Sequence, residues 1–428
     1  MGNNFKFETL CLHAGQQPDP ATTARGVPVH RTSSYVFKSS KHAADLFALK
    51  EMGNIYTRIM NPTQDVLEQR IAALEGGAAA LALSSGTSAV YYTIINICEA
   101  GDEIVSASNL YGGTYTMFDC ILPQFGIHTH FADSTDPESF DRAITEKTRA
   151  VYIETIGNPA LDFTDIGAIA EIAQRHHLPL IVDATFTTPY LLKSIEYGAD
   201  IVVNSLTKWM GGHGTGIGGV VVDSGKFDWQ DPKFKLYNEP DPSYHDIRYA
   251  HDLGDMNPLA FILRMRLVPL RNLGACISPD NAWMFLQGLE TLPLRMQRHC
   301  ENAAEVARFL KAHPKVAWVR YPGLTDDPTY PVASRYLKNG FGGMVVFGIK
   351  GGLEAGRQFV DSLKLFSHLA NVGDAKSLVI HPASTTHSQL SEEQQRDGGL
   401  TPDLVRLSIG LENIDDIKKD LDQAFGRT

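Results

Sequence analysis

Between residues 65 and 223 the sequence alternates two patterns that few folds satisfy together. Stretches with apolar residues at helical spacing ("TQDVLEQRIAALEG", "TSAVYYTIINIC", "DIGAIAEIAQRHH") are separated by short β-branched runs bounded by turn residues ("AALALSSG", "DEIVSAS", "RAVYIET", "LPLIVDAT", "ADIVVNS", "GIGGVVVD"). Runs this continuously apolar need cover on both faces, as strands of a buried, mainly parallel sheet have when helices make the crossovers. The expectation is an α/β domain whose ligand sits at the carboxyl ends of the strands.

The flanks read differently. Residues 1–64 are rich in Pro, Thr, Ser and His and weakly periodic, apart from one helix near "KHAADLFALK". They are expected to form an arm that packs on something else, such as a neighbouring subunit. Residues 224–260, a polar, aromatic and proline-containing excursion, read as an active-site loop or an interface segment. Beyond them come a long helical stretch from "PDNAWMFLQG" to "ARFLKAH", the runs "VAWVRYP", "GGMVVFGI", "LKLFSHLANV" and "LVRLSIG", and a closing helix "IDDIKKDLDQAFG". That mixture implies a smaller α+β domain. The expected division is an arm over 1–64, a ligand-binding domain over 65–275 carrying the 224–260 insert, and a C-terminal domain over 276–428, which suits a chain of 428 residues.

With 38 basic against 49 acidic residues, the net charge of −11 argues against a general nucleic-acid binder. Small anions held locally are not excluded. The five cysteines are odd in number, scattered and in no C-x-x-C pair, which favours free thiols in a reducing compartment. No apolar run is long enough to span a membrane and no secretory pattern opens the chain, so the expected location is cytoplasmic. No metal site is expected: His176 and His177 read as a helix end, and no further ligand stands at metal spacing. His381 and His387 in "HPASTTH" have no assignable role, and the "DDIKKDLD" charges read as a solvated helix face.

The segment "NSLTKWMGGHGTGIGG" holds the most informative residues. Gly214, Gly216 and Gly219 match a dinucleotide pattern, but they lead into a strand rather than a helix, so the fingerprint fails on context. Lys208 follows "ADIVVNS", and Asp183 ends the "LIVD" run roughly 25 residues earlier. A lysine that condenses with an aldehyde and an acid that pairs with a pyridinium nitrogen are what pyridoxal phosphate chemistry requires. Taken alone, Lys208 would read as a surface lysine; its neighbours change that. Ser205 and Thr207 can turn hydroxyls to one side of an extended segment. In "LSSGTSAVYY" a strand ends, Ser85-Gly86-Thr87 turns, and a helix begins, aiming free N–H groups at an anion.

The motifs "YTRIMNPT", "SSGTSA", "NLYGGTY", "ETIGNP", "VDATFTTPY", "NSLTKWMGGHG" and "HPASTTH" occur in the order of the Cys/Met-metabolism family of fold-type I pyridoxal phosphate enzymes. The sequence resembles that family over essentially its whole length, from "ETLCLHAG" to "VRLSIGLENIDDI". The resemblance implies an aspartate-aminotransferase-like fold with pyridoxal 5'-phosphate (PLP) held covalently on Lys208. Asp183 would pair with the ring nitrogen, Tyr111 stack on the ring and Asn158 bond its hydroxyl. Ser85, Gly86, Thr87, Ser205 and Thr207 would bind the phosphate, completed by Tyr56 and Arg58 of a neighbouring subunit. Arg406 would grip the substrate carboxylate, with Asn371 and Tyr56 beside it; Lys208, Tyr111 and Tyr56 would be catalytic. Asn371-Val372-Gly373 stands where many relatives have Ser-Leu-Gly.

The implied reaction is γ-replacement by a homotetramer of active-site-sharing dimers, exchanging the acyloxy group of O-acetyl-L-homoserine for sulfide to give L-homocysteine. Gly113 and the insert "NEPDPSYH" favour it, because relatives resembling γ-lyases carry an active-site cysteine at the position of that glycine and are shorter at the insert. γ-Elimination, or use of the succinyl ester, are the alternatives.

Overall fold

The computed structural model describes residues 5–385 and 400–428. Seven strands form the larger sheet: β1 Ala79–Leu83, β2 Glu103–Ala107, β3 His128–Ala132, β4 Thr148–Glu154, β5 Leu180–Asp183, β6 Ile201–Ser205 and β7 Gly219–Asp223, in the order β1-β7-β6-β5-β4-β2-β3. All neighbours are parallel except around β7, which runs against both β1 and β6. The carboxyl ends of β1, β2, β4, β5 and β6 therefore share one edge, and the start of β7 joins them there. Ile181, Val202 and Val203 are fully buried, as strands covered on both faces should be.

The helices begin where side chains satisfy their free N–H groups. Asn61 accepts from Thr63 N at 2.9 Å ahead of the helix Pro62–Glu75, which Gly76 ends in a left-handed conformation with φ 78°. Ser85 caps Gly86–Ile95 and Asp165 caps Ile166–Arg175. The strand β3, "HTHFA", was not anticipated, because its exposed residues break the apolar run that marks the inner strands.

Five strands form the second sheet: β8 Val316–Arg320, β9 Met344–Ile349, β10 Ser367–His368, β11 Leu378–Ile380 and β12 Leu404–Ser408, in the order β10-β11-β12-β9-β8. The run "LKLFSHLANV" contributes only the two residues of β10, and the three of β11 are too few to show a period. The long helical stretch divides into Pro279–Glu290 and Leu292–Ala312, with Thr291 between them and a proline in the second helix's first turn. Leu292–Ala312 serves both cores: Met296 and Cys300 pack in the larger cluster, Ala303, Val306, Ala307 and Leu310 in the smaller. Its polar side reaches the backbone of both halves. Arg295 donates to Trp209 O at 2.6 Å and Met210 O at 3.2 Å, His299 to Ile409 O at 2.6 Å and Asn302 to Gly410 O at 2.9 Å.

The start of the arm packs on its own chain. A helix Phe7–His13, not anticipated, buries Cys11, and Arg70 holds Ala14 O at 3.0 Å. Further along, Val36 is 97% and Met52 65% exposed, so these two side chains have little apolar cover within this chain. The insert is built around Trp229, stacked on Tyr237 at 4.3 Å and on Phe261 at 5.4 Å. Its Tyr244 hydroxyl donates to Phe47 O at 2.8 Å, bracing the arm helix Ser40–Phe47.

Candidate active site

The shared edge of the larger sheet opens onto a cavity of about 1080 Å³, closed on its far side by residues near β10 and β12. Of the residues nominated by the sequence, all line it except Tyr56 and Arg58. The insert 224–260 contributes none of its walls, which removes the active-site-loop reading within this chain.

One end of the cavity is an anion cradle. The Ser85 hydroxyl accepts from Ser88 N at 3.0 Å, and the first-turn N–H groups of Gly86 and Thr87 have no partners within the helix. A Cβ on Gly86 would lie 2.7 Å from Ser205 Cβ, and one on Gly219 2.1 Å from Ser85 O, so three strand ends meet here only because these positions lack side chains. Beyond β6 the chain does not stay extended as expected. It turns at once, with Lys208 N bonded to Ser205 O at 3.2 Å and Gly212 N to Lys208 O at 2.7 Å. The Thr207 hydroxyl accepts from Gly218 N at 3.1 Å. Ser205 and Thr207 still face the cavity, but through a turn that also buries Leu206.

At the centre, Lys208 Nζ donates to Asn371 Oδ1 at 2.5 Å. Burial, and then the charge of Arg406, push the lysine down to about 8. Arg406, on β12, is itself lowered to about 10 by burial and remains a cation; its Nη1 donates to Asn158 Oδ1 at 2.9 Å. That bond leaves the Asn158 amide nitrogen to donate elsewhere. Asp183, at the end of β5, accepts from Thr185 N at 2.9 Å and from the Tyr152 hydroxyl at 3.3 Å; burial raises its carboxyl and those bonds oppose the rise. Gly373 fits beside the lysine turn with φ 77°, where a Cβ would sit 2.6 Å from Trp209 N.

Tyr111 precedes the short helix Gly112–Thr116, with its ring half-exposed at the cavity wall. Its N–H donates to Glu154 Oε1 at 2.7 Å. A Cβ on Gly113 would come within 2.6 Å of the Tyr111 ring. Sequence reasoning missed Glu154 and Tyr152, although "VYIETIGNP" carries both at the end of an apolar run, where side chains two apart share a face.

The glycines of 214–219 lead into β7, not a helix. His176 ends its helix and bonds Asp141 Oδ1 at 2.7 Å. His381 is buried against Pro402 O at 2.9 Å, and His387 lies outside the described residues. Among the described residues no cluster of three potential metal ligands occurs, and no helix is long and apolar enough to cross a membrane. Tyr56 and Arg58 share a turn, with Ile59 N bonded to Tyr56 O at 2.9 Å. The Arg58 guanidinium lies 5.3 Å from the centre of the Tyr56 ring.

A side-chain-free cradle at a helix start, a buried lysine of lowered basicity and a carboxylate one strand away fit a phosphorylated pyridine aldehyde. Lys208 would hold it covalently, Asp183 would face its ring nitrogen, and Gly86, Thr87, Ser205 and Thr207 would hold its phosphate. The fold and site define a fold-type I PLP-dependent enzyme. The metY protein of Campylobacter jejuni, solved with N'-pyridoxyl-lysine-5'-monophosphate, superposes with a TM-score of 0.95 at 40% identity, covering 99% of this chain and 100% of that one. The chain belongs to the Cys/Met metabolism PLP-dependent enzymes, whose family model matches residues 8–426. It is 56% identical to the O-acetyl-L-homoserine sulfhydrylase of Leptospira meyeri, over 99% of this chain and 98% of that protein. It is 52% identical to the homocysteine synthase of Schizosaccharomyces pombe, over 98% of each chain.

Proposed function

We propose that this protein converts O-acetyl-L-homoserine and sulfide to L-homocysteine and acetate, a γ-replacement serving methionine biosynthesis. The observation that carries this reading is the convergence of Lys208, Asp183 and Arg406 on one cavity, in a chain whose relatives bear the names of that reaction. Arg406 offers a fork to the substrate carboxylate, and Asn158 braces the guanidinium from behind. This fixes Cα within reach of Lys208 Nζ, which takes the Cα proton and then serves at Cβ. Asn371 holds Nζ near that path. When bound, PLP accepts the electrons released at these carbons. Acetate then leaves Cγ and sulfide adds there. Gly113 supports replacement over elimination, because γ-eliminating relatives carry a cysteine at this position, and here even a Cβ would come within 2.6 Å of the Tyr111 ring.

Tyr56 and Arg58, outside their own chain's cavity, complete the phosphate site of a second subunit in this reading, within a cytoplasmic homotetramer of active-site-sharing dimers. The exposed Val36 and Met52 and five free cysteines suit that arrangement. The test is to incubate the PLP-loaded protein with O-acetyl-L-homoserine, with and without sulfide, and quantify homocysteine against 2-oxobutyrate. Homocysteine should dominate when sulfide is present. Dominant 2-oxobutyrate under both conditions would make the protein a γ-lyase, and faster turnover of the succinyl ester would reassign the acyl group.

A further inference from the structure

Asp183 is not the only acid beneath the cavity floor. Glu154 ends β4 as Asp183 ends β5, and the two are partners in the parallel register, so their side chains leave the same face of the sheet. Both line the cavity. Among the described residues neither makes an ion pair. Asp183 takes donated hydrogen bonds from Thr185 N and the Tyr152 hydroxyl, and stands where a protonated ring nitrogen would add another. Glu154, only 5% exposed, receives the neutral N–H of Tyr111.

Two adjacent buried carboxyls with no cation between them cannot both ionise; one keeps a proton, and the better-solvated partner keeps the charge. Donors to Asp183 favour its anion, whereas burial and the Asp183 charge push the Glu154 carboxyl well above the usual range. The other titratable groups facing the pair are consistent with this. Tyr152 keeps its hydroxyl proton and donates it toward Asp183, while Lys208 and Arg406 bond to Asn371 and Asn158.

We propose that Glu154 is a positioning residue: as a neutral carboxylic acid it anchors Tyr111 over the cofactor ring through the Tyr111 N–H, and it leaves Asp183 the single carboxylate facing the ring nitrogen. The proposal rests on the PLP-binding reading of this cavity. With Glu154 neutral, the cavity walls carry Lys208 and Arg406 against Asp183 alone, a net positive lining suited to a phosphate and a substrate carboxylate. An ionised Glu154 would cancel that excess.

The test uses the full-length PLP-loaded protein and the variants Glu154→Gln and Glu154→Ala. Glutamine mimics the neutral acid and keeps an oxygen for the Tyr111 N–H; alanine removes it. Infrared difference spectroscopy should show a protonated carboxyl carbonyl band in the wild type that is lost in Glu154→Gln. The alanine variant should lose kcat by about 10- to 100-fold with a smaller change in KM, and glutamine should recover most of that loss. The pH titration of the bound cofactor's absorbance should coincide for wild type and Glu154→Gln and shift in Glu154→Ala. Absence of the carboxyl band, or a displaced titration in Glu154→Gln, overturns the proposal. If Glu154→Ala fails to fold, the glutamine titration and the infrared band still decide. Failure of the wild-type protein to bind PLP would instead sink the cofactor reading itself.

Discussion

Lys208 is an amine whose basicity is lowered first by burial and then by the charge of Arg406. Only the neutral amine attacks an aldehyde, so PLP uptake by the cofactor-free protein should rise with pH through about 8, the value to which burial and Arg406 lower it. Replacing Arg406 by leucine removes the repelling charge and should move that midpoint upward. Stopped-flow absorbance across a pH series reads it, and an unmoved midpoint would discard the Arg406 contribution. The same variant should raise KM for the amino-acid substrate by about 10-fold or more. At position 113, Gly113→Cys places an atom where the Tyr111 ring now lies and should cut kcat for γ-replacement roughly 10-fold, with 2-oxobutyrate assayed in parallel. An unchanged kcat would mean that the ring position does not govern the reaction. Lys208 and Asp183 were legible in the sequence because one lies just beyond and the other at the end of a strand that its own apolar run announces. Glu154 was not, because only the strand register shows that it meets Asp183.

At the scale of elements, the sequence pattern located the inner strands and the long helices, and lost those whose residues face water or are too few to show a period. The larger sheet also hides a polar contact that no pattern announces. Glu75, closing the helix Pro62–Glu75, is buried and accepts from Asn204 Nδ2 at 2.9 Å, while Glu75 Oε2 and Asn204 Oδ1 have no hydrogen-bond partner. A proton on Glu75 would supply the missing donor. Burial pushes this carboxyl up from 4.5 to about 8. Because the folded value is the higher one, the associated stability is fully present below pH 4.5 and is lost as pH rises through about 8. Glu75→Gln reproduces the neutral acid, so its Tm advantage over wild type should widen from pH 6 to pH 9 by an amount reflecting a few kcal/mol, on the order of one per unit of pH. Parallel melting curves for the two proteins at both pH values would remove Glu75 as the cause.

At the scale of the whole molecule, no described residue of the arm lines its own cavity, and the shared-site reading makes a sharp demand. Lys208→Ala and Arg58→Ala should each be inactive or nearly so. Mixed dimers formed by unfolding and refolding the two variants together should regain activity, because one site per pair then combines an intact Lys208 with an intact Arg58. No recovery in chromatographically verified mixed dimers would place both residues in the same subunit's site.

The helix Leu292–Ala312 grips the turn after Lys208 through Arg295 and the residues just past the end of β12, which carries Arg406, through His299 and Asn302. It works as the bar of a caliper whose jaws are the amine and the guanidinium. In the proposed reading those jaws gauge the amino and carboxyl end, which every α-amino acid presents identically. A rigid bar of this kind rewards the common end of the substrate and is blind to the rest. Telling a homoserine ester from any other amino acid would then fall to the apolar part of the cavity wall, to which Met117, Ile121, Phe125 and Ile217 contribute.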